Sequence, residues 1–170
     1  MEKALEDDDE LYFLKNYGDE MPYCLMCKAA QYGSKRIFQF LHSSGVKCGD
    51  CMNSLGCLAV RGGHIDMISY LYSVGVNWSG AWIEGILIRR IDVLEYLHFF
   101  LSEELEMEIE DPSTIFYSID TGNVEIVEYI LAKNEELLFC KNNNNVCFGC
   151  IILHCITLQL KENRRYLSFY

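Results

Sequence analysis

Apolar residues along this chain recur at helical spacing, in segments set off by glycine. Ile65, Ile68, Leu71 and Tyr72 fall at i, i+3, i+6 and i+7, one face of a helix. Val124, Val127, Ile130 and Leu131 share that spacing. Gly45 and Gly75 directly follow such helices, where a left-handed residue ends a helix without a Cβ clash. Gly33, Gly63 and Gly122 stand earlier, between a first helix and a second. Pro22 and Pro112 lie just before predicted first helices, where a missing N–H leaves no bond unmade. No segment alternates apolar and polar residues for more than a few positions. The expected fold class is all-α.

The segments also repeat. Ala29-Ala30, Gly33, Ile37, Phe40-Leu41 and Gly45-Val46 are matched thirty positions on by Ala59-Val60, Gly63, Met67, Tyr70-Leu71 and Gly75-Val76. Residues 91–97 repeat residues 65–71, and residues 122–130 repeat residues 63–71. Residues 9–14 with Gly18 match residues 66–71 with Gly75, the second half of a leading unit. Self-similarity at 20–50 residues marks a solenoid built from one supersecondary unit. The expected organisation is a half-repeat cap over 1–18, an array over 19–138, and an Asn-rich loop with a capping helix over 139–170. Leu71, Leu97 and Ile130 share one repeat position and are expected to be buried between units.

The array resembles the ankyrin repeat family. That family's pattern runs Thr-Pro-Leu-His, two alanines, a Gly-His turn, then an acid-Ile-Val helix ending near Gly. Ala29-Ala30 with Gly33, residues 63–71 with Gly75, and residues 122–131 match it. The resemblance implies an ankyrin-type helical repeat solenoid and a non-enzymatic protein–protein interaction module. It departs where Cys27, Cys57 and Phe116 replace the His, and where Arg89-Arg90 replace the inter-helix Gly-His. By the family's habit, loop tips and first-helix surfaces meet the partner: Gln31, Tyr32, Lys47, Asp50, Arg61, Trp78, Trp82, Asp120 and Thr121. Of these, Tyr32, Arg61, Trp78, Trp82 and Asp120 are the candidate partner-binding residues, since aromatic and Arg side chains anchor interfaces. Trp78 also fits core packing. Trp82 is expected to be the more exposed of the two tryptophans. Degenerate members of this kind in large DNA viruses and some protists imply modulation of host or signalling proteins.

Charge narrows the partner. The 170 residues carry a net charge of −11, which disfavours nucleic acid, whose phosphates need clustered Lys and Arg. Acid gathers at residues 6–10 and 103–111, as solvated faces or as a field that steers a basic protein. The first ten residues hold six acids and no apolar run, so no signal peptide is expected. The apolar run 146–160 is too short to span a bilayer and reads as a buried terminal helix. A monomeric, intracellular, cytoplasmic protein without membrane contact is expected.

Nine cysteines are the strongest competing signal. Cys24/Cys27 and Cys48/Cys51 are Cys-x-x-Cys pairs at the spacing of a four-thiolate zinc site. They define the alternative, a zinc-stabilised small domain beside a helical repeat, acting as a regulatory or host-modulating factor. The repeat register instead aligns Cys27 with Cys57 and Cys48 with Trp78, as small buried residues. The preferred reading therefore has no cofactor. Catalysis finds no phosphate-binding Gly loop and no His-Glu-x-x-His, and the four histidines are scattered, so no enzyme is expected.

Overall fold

The computed structural model describes residues 2–16, 25–46 and 54–134, with the single residues 139 and 149. Helix accounts for 77% of the described residues, against about a third in an average globular chain. No strand occurs among them. None of their helices is long and apolar enough to cross a membrane. The chain divides into two compact units, Met1–Ile109 and Glu110–Tyr170.

In the first unit the helices are α1 (Glu2–Glu6), α2 (Glu10–Asn16), α3 (Leu25–Tyr32), α4 (Lys35–Ser43), α5 (Leu55–Gly62), α6 (Ile65–Val74), α7 (Ala81–Leu87), α8 (Ile91–Phe100) and α9 (Ser102–Ile109). The first eight form four hairpins. Their leading helices pack in succession, α1 on α3, α3 on α5 and α5 on α7, and α9 then packs on α7. Among the second helices, α2 packs on α4 and α4 on α6.

Each hairpin turns on one residue with left-handed backbone: Asp8 (φ 47°), Gly33 (72°), Gly63 (71°) and Arg89 (59°). At Gly33 the N–H donates to the Ala30 carbonyl (3.3 Å), and the Ser34 N–H donates to that of Ala29 (2.9 Å). Gly63 and His64 repeat these bonds to Val60 (2.8 Å) and Ala59 (3.4 Å), as do Asp8 and Asp9 to Leu5 (3.3 Å) and Ala4 (3.0 Å). This is the Schellman closure, which satisfies carbonyls that a helix end leaves open. Arg89 shows that the turn of the fourth hairpin, α7–α8, forms without glycine. Asp8 corrects the N-terminal half-unit: α1 supplies the missing first helix, so the leading hairpin is whole.

The buried faces align residue by residue. Leu25, Met26, Ala29 and Ala30 on α3 correspond to Leu55, Gly56, Ala59 and Val60 on α5. They correspond again to Ala81, Trp82, Gly85 and Ile86 on α7. Small residues at these positions let neighbours close in. A Cβ on Gly85 would lie 2.8 Å from Leu94 Cδ2, and one on Gly56 would lie 2.6 Å from the Asn77 carbonyl oxygen. Second helices bury Ile37, Phe38 and Leu41, then Met67, Ile68 and Leu71, then Val93, Leu94 and Leu97. Leu71 and Leu97 are thus buried as their repeat position predicts.

Two helix starts are capped from a distance. Ser34 stands at the N-cap of α4, but its hydroxyl donates to the Leu5 carbonyl instead. The Asp8 carboxylate takes over, accepting from the N–H groups of Arg36 (3.0 Å) and Ile37 (3.1 Å). At α7 the N-cap is Gly80, which has no side chain to offer. There Glu108 of α9 accepts from the N–H groups of Gly80 and Trp82 (3.2 Å to the latter). A carboxylate at a helix N-terminus satisfies open donors and meets the positive end of the helix dipole. The acidic run 103–111, expected as a solvated face or a steering field, therefore holds a helix with one buried residue, Leu105, the cap Glu108, and Asp111, whose Oδ1 accepts from Ser113 N (2.7 Å).

The second unit contains α10 (Ser113–Asp120) and α11 (Val124–Lys133), joined at Gly122 (φ 66°). Asn123 caps α11 locally, its Oδ1 accepting from Glu125 N (2.9 Å) and Ile126 N (3.4 Å). Pro112 stands at the N-cap of α10, as its position predicts. Ile126 and Ile130 are buried.

An L side chain in the left-handed region costs about 1–2 kcal/mol, and Arg89 is exposed. Arg89→Gly should therefore stabilise the chain by roughly 0.5–1 kcal/mol, read as a higher urea midpoint at unchanged slope. An unchanged or lower midpoint would show that the turn carries no such strain.

Candidate functional site

Tyr32, Arg61 and Asp120 lie at the ends of first helices, Trp78 in the loop before α7, and Trp82 in the first turn of α7. Tyr32 ends α3 and is half-buried. Arg61 sits in the last turn of the neighbouring α5 and is exposed. Its guanidinium pairs with Glu84 of α7, through Nη2 to Oε1 and through Nε to Oε2 at 3.0 Å. That bidentate contact raises the Arg61 pKa further above its ordinary value, the hydrogen bond being the main cause and the Glu84 charge the next. Asp120 is exposed at the end of α10, in the second unit. The structure thus brings Tyr32 and Arg61 onto the packed pair α3 and α5.

The tryptophans require a correction. Trp82 is 0% exposed and Trp78 is 5% exposed, so neither offers a ring to a partner, and Trp82 is not the more exposed. The reason is register. Trp82 occupies the core position of Met26 and Gly56, which the varying repeat length hid in the sequence. Trp78 fills the space left by Gly56, where a Cβ would lie 2.8 Å from its ring. The Trp82 ring lies 6.3 Å from that of His98, and its indole N–H has no hydrogen-bond partner among the described residues. Thr121 is buried as well, its hydroxyl donating to the Ser118 carbonyl (2.6 Å).

Between successive hairpins the turns interlock. The His64 ring lies over Gly33, where an added Cβ would be 2.4 Å from Cγ. Arg90 lies over Gly63 in the same way, and its Nη1 donates to the Gly63 carbonyl (2.8 Å). Asp92 holds the other edge of that guanidinium, through Oδ1 to Nε at 3.1 Å. A shallow cleft of about 290 Å³ runs along this row, lined by Gly33, Gly63, His64, Ile65, Asp66 and Arg90. Arg90 and Glu84 were not singled out from the sequence. The Arg89-Arg90 pair at a Gly-His position was the available signal for the first, and nothing marked the second.

Cys57 donates its thiol to the Ser79 carbonyl (2.9 Å). Burial pushes its pKa up, with Glu84 and Glu108 adding to the shift, so the thiol stays protonated as a donor. Of the four zinc candidates only Cys27 falls among the described residues, half-buried on α3. Cys24, Cys48 and Cys51 lie outside them, as do Lys47, Asp50 and, apart from residue 149, the apolar run 146–160. Among the described residues no group of three or more His, Cys, Asp or Glu side chains could hold a metal ion.

Compared with protein-family models, curated proteins and solved structures, the chain matches none.

The interlocked turn has a pH signature. Packing against Gly33 desolvates His64 and the Arg90 charge adds to it, so its pKa falls below the ordinary value of about 6.5. Protonation is then harder in the folded chain than in the unfolded one. Stability present above about pH 6.5 is lost as the pH falls through the lowered pKa. The urea midpoint should drop between about pH 7 and pH 5, and His64→Gln should remove part of that drop. Parallel profiles for parent and variant would dissociate His64 from the effect.

Proposed function

We propose that the chain is a non-enzymatic protein-interaction module of ankyrin-repeat type. One observation carries this reading. A helix, a left-handed turn residue and a second helix recur at corresponding residues, with leading helices α1, α3, α5 and α7 packed in order. Such a stack generates an extended surface rather than an enclosed pocket. The polar side chains along its turns support the same reading. Arg61 is engaged with Glu84, and Arg90 with Asp92 and the Gly63 carbonyl, which is a structural use of charge.

With both tryptophans in the core, the turn-side surface of the first unit is Tyr32 and Arg61, and Asp120 is the candidate of the second unit by itself. Tyr32 is the anchor, because a half-buried Tyr offers apolar area and a polar tip at low entropic cost. Its partner is a protein, to be found by affinity capture with the full chain.

Two measurements test this. Excising residues 55–80, one hairpin and its loop, should leave a cooperatively melting helical chain, because repeat stability is a sum over neighbours. Loss of all helical signal on excision would refute the repeat reading. Tyr32→Ala should weaken a captured partner by more than about 1 kcal/mol while the melting curve stays close to the parent's. Unchanged affinity would move the binding surface away from the turns.

A further inference from the structure

We infer that the α8–α9 face of the first unit docks a basic peptide segment, with the peptide's apolar side chains seated on an exposed ring cluster. Helix α8 buries Val93, Leu94 and Leu97. Its remaining C-terminal turn carries Tyr96, Phe99 and Phe100. The Tyr96 and Phe100 rings stack with centroids 4.5 Å apart, and Phe99 meets Phe100 edge-on at 4.8 Å. Phe99 is nonetheless 77% exposed and Phe100 47%. On the following helix, Met107 is 83% exposed. Contiguous exposed rings such as Phe99 and Phe100 mark an interaction site. The rings are already ordered against one another, which lowers the entropic cost of docking on them.

Charge selects the occupant. Residues 91–111 contain no Lys or Arg. Glu95 on α8 and Glu103, Glu104 and Glu106 on α9 are exposed, and no ion pair reaches them among the described residues. Glu108 alone of the glutamates on α9 is used as a helix cap. A second copy docked face to face would bring these carboxylates together, which disfavours self-association. A basic segment satisfies both features. Its Lys and Arg stems lie over the rings by cation–π and apolar contact, while their heads meet the carboxylates. This deepens the interaction-module reading and rests on it, but it uses a face distinct from Tyr32 and Arg61.

Fluorescence anisotropy of the full chain tests it with a labelled peptide of alternating Arg and Leu, and with Glu–Leu and Arg–Ser counterparts. The Arg–Leu peptide should bind best. Phe99→Ser with Phe100→Ser should weaken it by about tenfold or more. Glu103→Gln with Glu104→Gln should weaken it and flatten its salt dependence. Tyr32→Ala should leave it unchanged. Circular dichroism should show all variants folded, since Phe99, Phe100, Glu103 and Glu104 are exposed and Tyr32 is half-buried. The inference is overturned by binding that ignores both the Phe and Glu pairs, by equal binding of the Glu–Leu peptide, or by no binding to the parent. Binding lost only in Tyr32→Ala would also overturn it, yet leave the turn-side reading standing. Sedimentation that finds a dimer abolished by Phe99→Ser would name a second copy as the occupant and overturn it too.

Discussion

At Gly33 and Gly63 the backbone runs at φ 72° and 71°, and the first side chain after the next hairpin's turn lies directly over each, His64 on one and Arg90 on the other. A Cβ at either place would be strained by its own backbone and would also strike the covering residue. The left-handed turn therefore sets two things together. It reverses the chain within a hairpin, and it clears the surface on which the following hairpin sits. The matched core positions on α3, α5 and α7 follow from that spacing, because each hairpin begins its second helix at the same point relative to its turn.

Much of this was legible in the sequence. Glycines 33, 63 and 122 stand at turns with nearly equal φ, and the thirty-residue offset reproduces the buried faces of α3 to α6. Where reading failed, a special residue was absent. Asp8 and Arg89 hold the same conformation without being glycine, so in sequence the leading hairpin looks halved and the α7–α8 hairpin looks defective. Helix α9 was hidden for a different reason. With Leu105 its only buried residue, it carries almost no apolar period, and its place is set by packing on α7 and by Glu108.

The candidate site was read less well than the fold, and the tryptophans show why. Residue type marked Trp78 and Trp82 as anchors, but only the spatial register reveals that one fills the gap over Gly56 and the other replaces it on the next helix. A volume change between successive hairpins conserves the packed space, not the identity at each position. Conversely, Phe99 and Phe100 match ordinary helix patterning in the sequence, and only the structure leaves them exposed. Exposure depends on the neighbours a side chain lacks, which a linear pattern does not contain.

The two borrowed caps have a consequence for synthesis. Asp8 precedes the α4 start that it caps, so on a ribosome its carboxylate is in place before residues 36 and 37 emerge. Glu108 follows the α7 start by more than two dozen residues. Chains fold from the N-terminus as they are made, so the early hairpins can close as they appear, while the Gly80 and Trp82 amides wait on water until α9 has been translated. Vectorial folding here is asymmetric: one clasp is ready before it is needed, and the other follows the helix it closes.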